Sequence, residues 1–249
     1  MRVMISQPMY FPWVGFLAQM ALADVCIWLD DAQFSRGSFT NRVQVKTSQG
    51  LRWISIPLEG KGSFQPIRDL RAAEPGWSAP HRALLGQALR GRPNVDRAMA
   101  VFDHVNASSD AVSLCHTLIA SAEAEAVAIG VLPPTCLLAS LMGQGGASWD
   151  RVLRLVEAVG GTDYLTGHGA IAYLDHTAFE ARGIGVSYMD YSPRRWPQAH
   201  GAFTPFVTGL DLIASVPDEF AELHLCPATI GWRDFKARKE QNASRFPHE

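Results

Sequence analysis

SQPMYFPWVGFLAQMALADVCIWLDDAQFSRGSFTNRVQVK, residues 6–46, holds the turns and apolar runs that set the fold. Met1 to Ser6 reads as a short buried strand, and Phe11-Pro12-Trp13-Val14-Gly15 turns the chain. Val14 to Leu22 then places apolar residues at helical spacing. Val25-Cys26-Ile27-Trp28-Leu29 follows, apolar at every position, which suits a parallel strand covered on both faces. Asp30 and Asp31 end that run. The result is a strand-helix-strand unit with polar residues at both carboxyl ends. Ligands of open α/β sheets bind outside those ends, so Gln7, Tyr10, Trp13, Asp30, Asp31 and Gln33 are candidate lining residues.

Working outward, Arg42 to Lys46 and Arg52 to Leu58 are short runs separated by Thr47-Ser48-Gln49-Gly50, the pattern of a β-hairpin. Helical pieces over Ala79 to Leu89 and Pro93 to Val105 follow. Ser108-Ser109-Asp110 is a helix start before the periodic run Ala111 to Ile129, and Gly130 ends it. Thr135 to Leu141 is another buried-strand candidate, and Gly143-Gln144-Gly145-Gly146 a turn. Helix and strand then alternate: Trp149 to Val159, Asp163 to Thr166, Ala170 to Arg182, Val186 to Asp190. Thr208 to Ala214 reads as helical, and the tail after Pro217 has little periodicity, with its last part from Arg238 expected to fray. The series predicts a doubly wound, mainly parallel α/β sheet of about five strands with right-handed crossovers. The expected organisation is one Rossmann-like domain over residues 1–216, with a β-hairpin and helical insertion at about 42–130, and a C-terminal extension over 217–249.

Composition narrows the class. The chain has 249 residues, is 47% apolar and carries a net charge of −2, which suits a globular protein with a sizeable core. There is no basic stripe interleaved with aromatics, so nucleic acid is not an expected partner. No apolar run reaches the ~18 residues of a membrane span, and the first residues do not form a signal peptide, so a cytoplasmic protein without a membrane partner is expected. The four cysteines are widely spaced and read as free thiols.

Several strings carry a resemblance. Gln7-Pro8, Tyr10, Pro12-Trp13, Gly15, Asp24, Asp30-Asp31, Gln33-Phe34 and Asn41-Arg42 resemble the opening of the WbqC-like proteins, and Asp163-Tyr164-Leu165-Thr166-Gly167, Pro197-Gln198, His200-Gly201 and Leu210-Asp211-Leu212 fit the same pattern. That bacterial family is associated with O-antigen and other glycan or natural-product clusters. The resemblance implies a biosynthetic role and does not fix a reaction.

The residues themselves leave three readings open. The first is a transferase that moves an acyl or aminoacyl group from an activated donor to an amino or hydroxyl acceptor. The second is a non-catalytic binder of a nucleotide-sugar or carrier-protein intermediate. The third is a nucleotidyltransferase-like enzyme, suggested by the strand, turn, helix and acid-ended strand. In its phosphate-binding H-x-G-H turn, however, this chain has Trp13 and Phe16 where the histidines would stand. His200 and His168 are loop residues suited to proton transfer, with the paired acids Asp30 and Asp31 as further catalytic candidates. One of two adjacent acids at a strand end usually caps the next turn, so one of the pair is expected to be structural. Arg42 can pair with an Asp or clamp a phosphate or carboxylate, beside Asn41, and Gln198 joins the candidate substrate-binding residues. His168, Asp175 and His176 lack the spacing of a zinc site, so no metal is expected. No tightly bound cofactor is expected either, only an acyl thioester or nucleotide as co-substrate, with a small molecule, a nucleotide-sugar or an acyl-carrier protein as partner.

Overall fold

The structure, a computed structural model, describes residues 1–62, 64–107 and 113–245. In chain order its regular elements are β1 (Arg2–Ser6), α1 (Val14–Leu22), β2 (Val25–Trp28), β3 (Arg42–Thr47), β4 (Gly50–Ser55), α2 (Ser78–Ala88), α3 (Val95–Asn106) and α4 (Leu114–Ile129). After these come β5 (Thr135–Leu138), α5 (Ser148–Ala158), β6 (Asp163–Thr166), α6 (His176–Glu180), β7 (Gly185–Met189), α7 (Gly209–Ser215), α8 (Asp218–Ala221), β8 (Thr229–Gly231) and α9 (Trp232–Arg245).

Six strands form the central sheet in the order β5-β2-β1-β6-β7-β8. The first five are parallel and β8 joins antiparallel. This is an α/β fold with a mostly parallel sheet, consistent with the Rossmann-like class. Register explains why the strands are apolar at every position: Val3 pairs with Val25 and Ile5 with Ile27, and these four face one core with Tyr164, Tyr188, Val156, Phe179 and Phe235. Met4, Cys26, Trp28 and Leu165 point the other way, onto Phe16, Leu17, Met20 and Leu118. β1 and β2 each feed two cores, so neither of their faces can be polar.

The tail without apolar periodicity nevertheless supplies the sixth strand. Ser187 pairs with Gly231 and Met189 with Thr229, and Phe235 of α9 stacks on Tyr188 at 4.3 Å. The segment from Arg238 is helical through Arg245. At α4, Ser113 is the N-cap and accepts from the His116 amide, whereas Ser108-Ser109-Asp110 lie outside the described residues. Residues 170–182 form a short 3-10 turn and then α6, split where Asp175 caps the helix.

The chain runs from β1 to β2 to β5 on one side and places β6, β7 and β8 on the other, so the sheet reverses direction between β1 and β6. The carboxyl ends at Ser6 and Thr166 flank that switch point, the usual location for a ligand crevice. Between β2 and β5 lie the hairpin β3-β4 and helices α2 to α4. The hairpin is tied to the body by Tyr10 N to Thr40 O and Thr208 N to Gln44 O, each 3.0 Å, while Val43, Val45, Ile54 and Ile56 enter the core. Among the described residues, no helix is long and apolar enough to cross a membrane.

Candidate functional site

The carboxyl edge of the sheet holds the paired acids, and both are engaged. Asp30 is buried and accepts from Ser140 N at 3.0 Å and from Ser140 Oγ at 2.5 Å, which joins the end of β2 to the turn that follows β5. Asp31 takes an ion pair from Arg151 of α5 at 2.6 Å. Asp30→Asn keeps an acceptor for the Ser140 amide, and its NH2 group can donate to the hydroxyl instead of accepting from it, so two charge-assisted bonds become neutral ones. A loss of about 1 kcal/mol is expected, read in thermal unfolding as a drop of about 2–4 °C; an unchanged midpoint would show that the Asp30 charge adds nothing to these bonds.

Tyr10 does not reach a cleft. Its ring is fully buried against Phe11 and Trp77, and its hydroxyl lies 3.1 Å from His81 Nδ1, with burial pushing the phenol pKa well up. Asn41 donates to Ile56 O at 2.9 Å, and Arg42 donates to Ser38 O at 3.2 Å and to Gly37 O while lying over Trp53. Gln7 is half-buried beyond β1, and Gln33 is exposed. Trp13 packs edge-on to Tyr191 at 5.1 Å and beside Phe206, and its indole fills the space where a Cβ on residue 15 would sit, 2.2 Å away. That close approach requires Gly15. His168 donates Nε2–H to Met189 O at 2.7 Å, His176 meets the Tyr188 hydroxyl at 2.8 Å, and Asp175 caps α6, so these three side chains do not converge. Among the described residues, no group of three or more His, Cys, Asp or Glu is placed to hold a metal ion.

His200 is different. It lies where two adjoining clefts of about 590 and 550 Å³ share Thr47, Ser48 and His200. Arg52 and Arg90 line the first and Lys46 the second, and no Asp or Glu lines either. Nε2 of His200 is 3.2 Å from Ala88 O at the end of α2. A carbonyl only accepts, so Nε2 carries the proton and Nδ1 of the neutral ring keeps a lone pair. His200 and Gly201 have φ of 63° and 70°, two successive left-handed residues. His tolerates this region better than most side chains, yet such backbone is usually held in place by its surroundings.

Here the holding group is Lys46, which the sequence did not single out. Its Nζ donates to Gln198 Oε1 at 3.1 Å, Gly201 O at 3.3 Å and Ala202 O at 2.6 Å. Gln198 also bonds both backbone groups of Thr204, closing the loop on itself. Gln198 is thus engaged in fastening the His200 loop. Desolvation pulls the Lys46 pKa down, opposed by the buried carboxylate of Asp211. Asp211 in turn accepts from Trp196 Nε1 at 2.7 Å and has its own pKa raised by burial. Behind this layer lies Glu125 of α4, fully buried, which accepts from Thr208 Oγ1 at 3.0 Å, while its second oxygen has no partner among the described residues. Gly209 is required there, since a Cβ would stand 2.6 Å from Leu17 and 3.1 Å from the Glu125 carboxyl. Asp30 and Asp31 line neither of these two clefts.

The model of the WbqC-like protein family matches residues 7–222. The chain is also 30% identical over 236 residues to "Uncharacterized protein Rv1507c" of Mycobacterium tuberculosis, a match covering 88% of this chain and 95% of that protein. No solved structure matches.

Proposed function

Since the chain belongs to the WbqC-like protein family, we propose that it is a cytoplasmic transferase of glycan or natural-product biosynthesis. It would move an acyl or aminoacyl group from an activated anionic donor to an amine or hydroxyl. The observation that carries this is the pair of adjoining clefts at His200, with Arg52 and Arg90 lining one, Lys46 lining the other and no acid among the lining residues, beside an imidazole whose Nε2 is engaged by Ala88 O. A cationic wall suits the phosphates of a coenzyme A thioester or of a nucleotide-activated donor. With a thioester, the acceptor N–H or O–H gives its proton to His200 Nδ1 as the heteroatom attacks the carbonyl. The carbon–sulfur bond then breaks, and the leaving thiolate takes that proton.

Ligand-linked unfolding tests the site. A donor at about a hundred times its dissociation constant adds about 2.7 kcal/mol, a rise of about 5–10 °C for a chain of this size. Coenzyme A thioesters and nucleotide-sugars are to be compared, and Arg52→Glu with Arg90→Glu should abolish the shift. A shift that survives both substitutions places the donor elsewhere.

One observation favours the binder as a second reading: no described carboxylate orients the His200 ring, as one does in a catalytic triad. Binding without any product would support it. The nucleotidyltransferase-like alternative draws no support from the first turn, where the Trp13 indole occupies the space beside Gly15.

A further inference from the structure

The near-neutral net charge hides an asymmetry. Residues 33–93, which hold the hairpin, the loop after it and α2, carry ten Lys and Arg against three Asp and Glu. The remainder carries twelve against twenty-one, so a segment of net +7 sits on a body of net −9. Arg68 and Arg82 reach acids, whereas Lys61, Arg71 and Arg90 are exposed and bond to no described acid.

The outward face of the hairpin adds apolar surface to that charge. Arg42 pairs with Ser55, Gln44 with Trp53 and Lys46 with Leu51, so Ser55, Trp53 and Leu51 lie on one face over ~13 Å. Trp53 is 41% exposed and Leu51 47%, Phe39 is 49% exposed beside Trp53 at 5.7 Å, and the Arg42 guanidinium lies 4.3 Å over the Trp53 ring. At one end of the stripe Arg42 and Ser55 open into a third cleft of about 510 Å³ with Lys61. At the other end Leu51 and Lys46 line the His200 cleft.

Clustered aromatic and Arg side chains are the material of binding hot spots, and isolated surfaces seldom group large apolar residues this way. We infer that this face is the docking surface for a small acidic protein that carries the donor as a thioester on a flexible arm. Charge complementarity selects the occupant. A small acidic protein meets the cationic segment and stays clear of the anionic body, whereas a long polyanion such as RNA must run over both. The arm enters at the Leu51 end, where the His200 cleft opens. The carried donor rests on the transferase reading; the docking does not.

The probe is a bacterial acyl carrier protein in its phosphopantetheinylated form, dye-labelled and titrated with the intact chain in fluorescence anisotropy at about 50 mM NaCl. Saturable binding is expected, weakened at least about tenfold by Trp53→Ala and by Lys61→Glu combined with Arg71→Glu, in variants whose unfolding midpoints stay close to the wild type. Raising NaCl to about 300 mM should weaken it similarly. No binding, binding indifferent to these variants, or the same variant dependence with a short RNA in place of the carrier protein would each overturn the assignment.

Discussion

Replacing His200 by Ala is expected to lower kcat for group transfer by about 10²–10⁴-fold, the usual contribution of a positioned general base. Alanine alone would confound two effects, because position 200 has a φ of 63° and a side-chain bond to Ala88 O. His200→Asn separates them. Asn also tolerates left-handed backbone, so although its shorter side chain gives up the bond to Ala88 O, the loop held by Lys46 should keep its shape and the unfolding midpoint should move little. Asn has no basic nitrogen. The asparagine variant should therefore be as inactive as the alanine variant. If His200→Asn turned over at the wild-type rate, the proton would have to leave by another route.

The second large effect is on stability. Glu125 is fully buried, and desolvation pushes its carboxyl pKa well above 4.5, outweighing the bonds from Thr208 and Leu210. The folded chain therefore holds a proton on Glu125 that the unfolded chain releases above that value. Between pH 4.5 and the raised folded pKa, the native state binds more protons than the unfolded state, so stability falls as pH rises, by up to about 1.4 kcal/mol per pH unit. Glu125→Gln keeps the shape and an acceptor for Thr208 but cannot ionise. The difference in midpoint, Gln variant minus wild type, is expected to widen as pH rises above 4.5 and to level off once pH passes the raised folded pKa. Taking the difference cancels His81 and His176, whose pKa values burial lowers and which act in the opposite direction. A gap that does not change with pH would mean that Glu125 is ionised in the folded protein.

The parts of this molecule that were legible in sequence are those where one side chain reports one local fact. The run Val25 to Leu29 has no polar face because β2 sits between two cores, and Gly130 ends α4 because it adopts φ 85°. The sixth strand was not legible. Thr229-Ile230-Gly231 is only three residues long, and its pairing with β7 fixes it rather than any periodicity of its own. The site was legible in fragments. His200 stood out as a loop histidine, but its cationic neighbours did not, since Lys46 and Gln198 are 152 positions apart and meet only through the fold. Asp30 and Asp31 stood out as a pair at a strand end. What sequence could not reveal is that Ser140 and Arg151, each more than a hundred residues away, bond to them.

The neighbouring strands β2 and β5 have a consequence for how the chain reaches this state. Trp28 and Leu138 are register partners although they stand 110 positions apart in the chain. The entropy of closing so long a loop grows only logarithmically, so the native state loses little stability by it, but the search for that pairing is slow compared with forming the β1-α1-β2 unit beside it. During synthesis, β1 and β2 emerge long before β5 exists, and the β2 edge stays open while the hairpin and three helices are made. β5 is thus a late latch. Its dependence on Asp30 reaching Ser140 makes that bond a marker, in pulse-labelled hydrogen exchange, for the step in which β5 joins the sheet.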